Sequence, residues 1–265
     1  MILELKRLFR ILKESKHCSH KMKISGFLKQ TVKDFPPEKL TIAVFTSGCN
    51  YSCPSCHAKH INNGGQNYTV DDVFSYLDKT KGFIEGVVIC GGEPTLQKDL
   101  PDFARKCKEK GLLVKLDTNG SNPEMLERLL NEKIIDYVAM DIKGPSKLYS
   151  KLIGKESYSI NEGIALVQKF PDYEFRTTVA PVILADGISF MTPEEAGEMA
   201  KEISSIADKN SKWYIQKFVA RSKKEMMDER LSKENLAEEI WETPNELLKS
   251  FSDEVKKYFP KCELR

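Results

Sequence analysis

Residues 40–57 read Leu40-Thr41-Ile42-Ala43-Val44-Phe45-Thr46-Ser47-Gly48-Cys49-Asn50-Tyr51-Ser52-Cys53-Pro54-Ser55-Cys56-His57. An apolar run rich in β-branched and aromatic residues, the signature of a strand, passes into a loop with cysteines in a C-x3-C-x2-C pattern. Three thiolates can hold three irons. Cubane iron–sulfur clusters usually take four cysteines, so a set of three leaves one iron open to a small molecule. The same residues admit a second reading. Cys49, Cys53 and Cys56 with His57 or His60 could close a tetrahedral Cys3His zinc site that only staples the loop. Structural zinc sites are usually built from two separated ligand pairs, whereas here every candidate falls inside one loop.

A second motif, Gly91-Gly92-Glu93-Pro94, ends the next apolar run at 86–90. Paired glycines let a backbone approach a ligand closely, and a neighbouring carboxylate can accept a hydrogen bond from an ammonium group. By itself the motif reads first as an ordinary turn ahead of a helix. Further strand-like runs follow at 112–117, 137–142, 174–183 and 213–219, and helix-like stretches separate them. Thr69 with Asp72 and Thr192 with Glu195 fit capping boxes, and Asn122-Pro123 fits an N-cap followed by an N1 proline. Six β/α units in succession predict an α/β fold with a parallel sheet and helices outside it. Right-handed crossovers curl such a sheet into a partial (β/α)6 barrel, three quarters of a TIM barrel. Ligands belong at the C-terminal strand ends, where both motifs lie.

Polar clusters break two later strands at the same end, as Leu116-Asp117-Thr118-Asn119-Gly120 and Asp141-Ile142-Lys143. Such clusters are costly in an apolar strand unless they face a site, although Asp, Thr and Asn also form turns. Arg176 interrupts the fifth strand and needs an anionic partner.

Together these motifs resemble the radical S-adenosylmethionine (SAM) superfamily, within it the activating enzymes of glycyl radical enzymes, such as those of pyruvate formate-lyase and anaerobic ribonucleotide reductase. Ile24-Ser25-Gly26-Phe27-Leu28 and Asp34-Phe35-Pro36 extend the likeness upstream, over about residues 24–220. Ser55 departs from it, standing where the superfamily usually has an aromatic residue. The resemblance implies a 4Fe-4S cluster on Cys49, Cys53 and Cys56 that cleaves SAM to a 5′-deoxyadenosyl radical. It implies that Gly91, Gly92 and Glu93 receive the SAM amino group. Asp117, Thr118 and Asp141, with the Ala139 carbonyl, would hold a monovalent cation (Na+ or K+), and Lys143 would reach the SAM carboxylate or ribose. Arg176 and Gln216 complete the expected SAM surroundings. The implied partners are a glycyl radical enzyme and reduced flavodoxin or ferredoxin. Alternatives kept open are an enzyme acting on a small molecule or RNA, like 7-carboxy-7-deazaguanine synthase, and a non-enzymatic zinc-binding module.

Length and composition are compatible with such an enzyme. A chain of 265 residues can bury one sizeable core. The net charge of +2 demands no DNA partner. No membrane-length apolar run or signal peptide is visible, which leads to the expectation of a cytoplasmic protein. Of the seven cysteines, Cys90 and Cys107 read as small core residues, and Cys18 and Cys262 as free thiols. The expected organisation is an N-terminal extension at 1–37, the barrel at 38–220 and a charged C-terminal segment with a helix at 221–265. Residues 1–14 pattern as a basic amphipathic helix docked on protein rather than membrane. His17, Cys18 and His20 read as solvated. Residues 221–242 read as a solvated charge run, and Thr243-Pro244-Asn245-Glu246 as a capping box opening the last helix.

Overall fold

The computed structural model describes residues 22–62, 64, 68–156 and 160–265. The amphipathic stretch at 1–14 and the trio His17, Cys18 and His20 lie outside the described residues. Strands β1 (Ile24–Thr31), β2 (Thr41–Thr46), β3 (Gly86–Gly91), β4 (Leu113–Thr118), β5 (Tyr137–Asp141), β6 (Tyr173–Val179), β9 (Trp213–Lys217) and β10 (Cys262–Leu264) form one eight-stranded sheet in that order. All neighbours from β2 to β10 are parallel, and β1 runs antiparallel along β2. The sheet is open, with β1 and β10 at its two edges. Each of the six expected strands is present, and β10 adds a seventh parallel one. The expected strand at 174–183 divides: after β6 the chain folds back as a hairpin of β7 (Pro181–Leu184) and β8 (Gly187–Phe190).

Helices α1 (Lys59–Asn62), α2 (Val70–Lys79), α3 (Leu100–Glu109), α4 (Pro123–Glu132), α5 (Ser146–Ile153), α6 (Asn161–Val167), α7 (Pro193–Ile203) and α8 (Asn245–Lys256) occupy the connections. Thr69 and Asp72 cap α2 reciprocally, Thr192 and Glu195 do the same for α7, and the Asn122 side chain accepts from Met125 N at the start of α4. Each such cap is worth roughly 1 kcal/mol, so these three starts are set locally.

Strand alternation separates two environments. Val87, Ile89, Val114, Leu116, Val138, Met140, Phe175 and Ile215 face the helices and join Leu100, Phe103, Leu126, Ile164 and Met199 in the main core. Burying each large aliphatic side chain contributes roughly 1.5–3 kcal/mol, which makes this layer the main source of stability. The intervening positions face inward. Ala43, Val88, Tyr137 and Ala139 surround the buried Phe35 ring from the β1–β2 connection, so Phe35 plugs the base of the barrel.

The C-terminal part differs from its sequence reading. Residues 221–242 carry the buried side chains Met226, Leu231 and Leu236, which pack with Ala180, Phe218 and Ala220 in a separate apolar cluster. Thr243 caps no helix: it is fully buried, and its Oγ1 accepts from Phe218 N (2.8 Å) and donates to Val179 O (2.8 Å). It therefore ties the end of β9 to the end of β6, and α8 starts after Pro244 without a side-chain cap.

Candidate active site

A cavity of about 550 Å³ occupies the C-terminal mouth of the barrel. Cys49, Cys53 and Cys56 line it, together with Gly91, Gly92, Glu93, Asp117, Thr118, Asp141, Lys143 and Arg176. Gln216 does not line this cavity; on β9 it accepts a bond from Thr178 Oγ1 at 3.5 Å. The cavity wall also takes in Phe45 and Phe218, which no sequence motif had marked, together with Asn119 from the polar cluster after β4 and Cys90, which the sequence places in the core.

The cysteine loop has no helix or strand of its own between β2 and α1. Ser47 N bonds to Lys23 O (2.8 Å) and Ser52 N to Ile153 O (2.9 Å). Gly154, left-handed at φ 65°, permits the second contact, because a Cβ there would stand 2.3 Å from Ser52 O. Backbone amides point at two of the sulfurs: Tyr51 N at Cys49 Sγ (3.4 Å) and Ala58 N at Cys56 Sγ (3.3 Å). Burial pushes the Cys49 thiol up to about 11, with the Tyr51 amide opposing, and it also raises Cys53. Thiols raised in this way ionise when a metal centre coordinates them. Among the described residues no three His, Cys, Asp or Glu side chains gather around one ion position. The three thiols line one cavity, near enough for Cys53 and Cys56 to act on Cys49 through charge.

The paired glycines interlock two loops. A Cβ on Gly91, at φ 111°, would meet Thr46 N at 2.4 Å, and one on Gly92 would meet Gly48 O at 2.0 Å. That closeness allows Gly92 N to bond Thr46 O and Glu93 N to bond Gly48 O, each at 2.9 Å. Glu93 is buried and its carboxylate is engaged internally. Oε1 accepts from Thr95 N (3.1 Å), Thr95 Oγ1 (2.5 Å) and Thr118 Oγ1 (2.7 Å), and Oε2 accepts from Asn119 N (2.7 Å). Burial raises its pKa against these bonds. Glu93 thus fastens the end of β3 to the end of β4, leaving acceptor capacity only at Oε2.

Asp117, Asp141, Glu174 and Arg176 stand on β4, β5 and β6 and form one ionic network. Arg176 Nη2 reaches Asp117 Oδ2 at 3.0 Å, and Nε reaches Asp141 Oδ1 at 3.2 Å. Lys143 Nζ lies 2.8 Å from Asp141 Oδ2, and the nearly buried Lys115 pairs with Asp117. Below them Glu174, fully buried, accepts from Tyr137 OH (2.7 Å) and from both Arg265 guanidinium nitrogens (2.8 and 3.1 Å). Burial would raise Asp141, but Lys143 and Arg176 outweigh it and hold the carboxyl below its ordinary value. Burial likewise disfavours charged Arg176, yet Asp117, Asp141 and Glu174 keep it protonated. Lys115, Lys143, Arg176 and Arg265 are thus each paired with one or more of Asp117, Asp141 and Glu174.

Known proteins resemble this chain in sequence and in fold. A protein of Methanocaldococcus jannaschii with the provisional name glycyl-radical enzyme activating enzyme is 37% identical over 189 residues, 68% of this chain and 75% of that protein. The 7-carboxy-7-deazaguanine synthase of Methanospirillum hungatei is 36% identical over 40% of this chain and 43% of its own. A cysteine-to-serine mutant of spore photoproduct lyase superposes with a TM-score of 0.56 at 14% identity, over 88% of this chain and 78% of the lyase, a likeness of fold. Residues 43–203 match the family model described as the Radical SAM superfamily. With the cysteine loop, both glycines and the charged strand ends inside that span, the chain belongs to the radical SAM superfamily.

Proposed function

We propose that this radical SAM enzyme activates a partner enzyme by installing a glycyl radical, with an anaerobic ribonucleotide reductase as the first candidate. The observation that carries the reading is the 37% identity to the M. jannaschii relative over three quarters of that protein. It is supported by the strand ends Asp117-Thr118-Asn119-Gly120 and Asp141-Ile142-Lys143, which line the cavity.

Cys49, Cys53 and Cys56 would hold the 4Fe-4S cluster, and the cavity between them and the β4–β6 wall would hold SAM. When bound, the pair supplies reductive cleavage of a carbon–sulfur bond and a radical able to abstract hydrogen from an unactivated C–H bond. The chain's own residues bind, orient and shield. Lys143, which lines the cavity and is oriented by Asp141, attracts the SAM carboxylate. The free capacity of Glu93 Oε2, or the backbone it holds in place, receives the amino group. Arg176 already bridges Asp117 and Asp141, so a monovalent cation at those carboxylates would have to share them with the guanidinium. The apolar wall of Phe45, Val88 and Ala180 excludes water from the radical's path. Reduced flavodoxin or ferredoxin is the proposed electron donor.

The test is to incubate the reconstituted protein anaerobically with reductant, SAM and a candidate reductase. An oxygen-sensitive doublet should appear by electron paramagnetic resonance, collapse when glycine is deuterated at its α-carbon, and be absent when the radical glycine of the reductase is changed to alanine. Ready formation of deoxyadenosine without a doublet on any candidate would favour a small-molecule or RNA substrate. The 36% identity to a 7-carboxy-7-deazaguanine synthase makes that reading the next to test.

A further inference from the structure

The cysteine loop lacks regular structure, so its shape is imposed from outside. One contributor is the segment that follows β9. Residues 220–243 form a closed loop. Ala220 N bonds to Trp241 O (2.6 Å), Lys233 N to Arg221 O (2.9 Å) and Thr243 N to Phe218 O (3.0 Å), and the Thr243 hydroxyl locks the base of the loop to β6 and β9. Met226, Leu231 and Leu236 anchor it on Ala180 and Phe218.

From this anchored base the segment reaches the metal-binding loop through its backbone. Met227 N donates to Cys56 O at 2.8 Å and Asp228 N to Pro54 O at 3.2 Å. These two carbonyls belong to the turn that carries Cys53 and Cys56, itself closed by Cys56 N bonding to Cys53 O at 3.0 Å. Lys59, just past the loop, pairs with Glu229 at 3.4 Å, and the His57 ring lies 5.6 Å from the Phe218 ring. A covering layer that served only the fold would bury apolar side chains. This one also spends two backbone donors on the ligand turn.

We propose that residues 220–243 are a brace that fixes the Cys53–Cys56 turn in its ligating shape and thereby sets how firmly the metal centre is held. Met227 and Asp228 act as positioning residues through their N–H groups, whatever side chains they carry. The brace arrives about 170 residues after the ligands it holds, as the pairing of Met227 with Cys56 requires.

The experiment uses the full chain and two changes at one position. Met227→Pro removes the N–H, whereas Met227→Ala keeps it. Two rates are read: amide hydrogen exchange of the peptide spanning 49–57 in metal-free protein, and iron loss from reconstituted protein in air. Met227→Pro should accelerate both by about fivefold or more, the effect expected from losing one backbone hydrogen bond, and Met227→Ala should leave both unchanged. Wild-type rates in a Met227→Pro protein that melts at the wild-type temperature would overturn the proposal. Should the proline variant fail to fold, Leu231→Ala loosens the anchor without touching the loop: faster exchange at 49–57 supports the brace and unchanged exchange overturns it. The exchange arm contains no metal, so it reads the brace independently of the iron–sulfur assignment.

Discussion

The barrel interior is divided lengthwise. On β2 and β3 the inward side chains are Ala43, Phe45, Val88 and Cys90, closed from below by Phe35. On β4, β5 and β6 they include Lys115, Asp117, Asp141, Glu174 and Arg176. Outward, both halves are mainly apolar and pack against helices. The helix-facing layer could be built in the same way whatever lay inside, so fold stability does not explain the charged half. Replacing a buried ion pair by well-packed apolar residues is often neutral or stabilising. On the proposed function, such a network, in the same cavity as three thiols, serves a ligand with an ionic end.

Four substitutions probe this division, in order of expected size. Cys53→Ala should abolish cubane assembly, from about four irons per chain in wild type to a trace, measured by iron and sulfide analysis after anaerobic reconstitution. Stoichiometric zinc without iron uptake would instead make the rim a structural site. Arg176→Met removes the guanidinium that bridges Asp117 and Asp141 and should cost about 3–5 kcal/mol in denaturant unfolding; a cost under ~1 kcal/mol would show that water or Lys115 and Lys143 satisfy both carboxylates unaided. Phe35→Ala opens a hole in the apolar half and should cost about 3 kcal/mol, with SAM affinity little changed. A large loss of affinity would mean the plug shapes the ligand site as well.

Asp141→Asn has the smallest effect on stability and the clearest pH signature. Its carboxyl lies below the ordinary value in the folded protein, so its contribution is present above the unfolded value near pH ~4 and is lost as pH falls toward the lower folded value. The wild type should therefore lose stability more steeply than Asp141→Asn below about pH 4. Parallel acid-unfolding curves would show the link to Lys143 and Arg176 to be energetically silent. The same variant should weaken SAM binding roughly tenfold if ligand orientation depends on that link, a change of about 1.4 kcal/mol.

The fold was readable because its signals are local. Continuous apolar runs at 86–90 and 137–142, with side-chain caps at Thr69, Asn122 and Thr192, identify units that form much as their own residues dictate. What escaped reading depends on distant partners. The three residues of β10 are too few for a pattern and take their register wholly from β9. Thr243 has the spacing of a cap, but the backbone groups of Phe218 and Val179 claim its hydroxyl. The charges of 221–242 hide Met226, Leu231 and Leu236, whose five-residue spacing matches neither a helix face nor a strand face. The site was read on its charged side because a polar residue inside a strand stands out. Asn119 looked like a turn former, yet its backbone N–H serves Glu93 and its side-chain amide bonds Asn50 at 3.0 Å.

The pairing of Glu174 with Arg265 gives the barrel floor an order in time. A ribosome releases β6 long before β10, and domains generally begin to organise from the N-terminal side during synthesis. Glu174 and its guanidinium partner are 91 residues apart. Until that last stretch emerges, the floor of the nascent barrel has a carboxylate whose counter-charge is still to come, with Tyr137 and Arg176 as its available neighbours. β10 then extends the sheet, and Arg265, just past it, supplies the paired charge at its base.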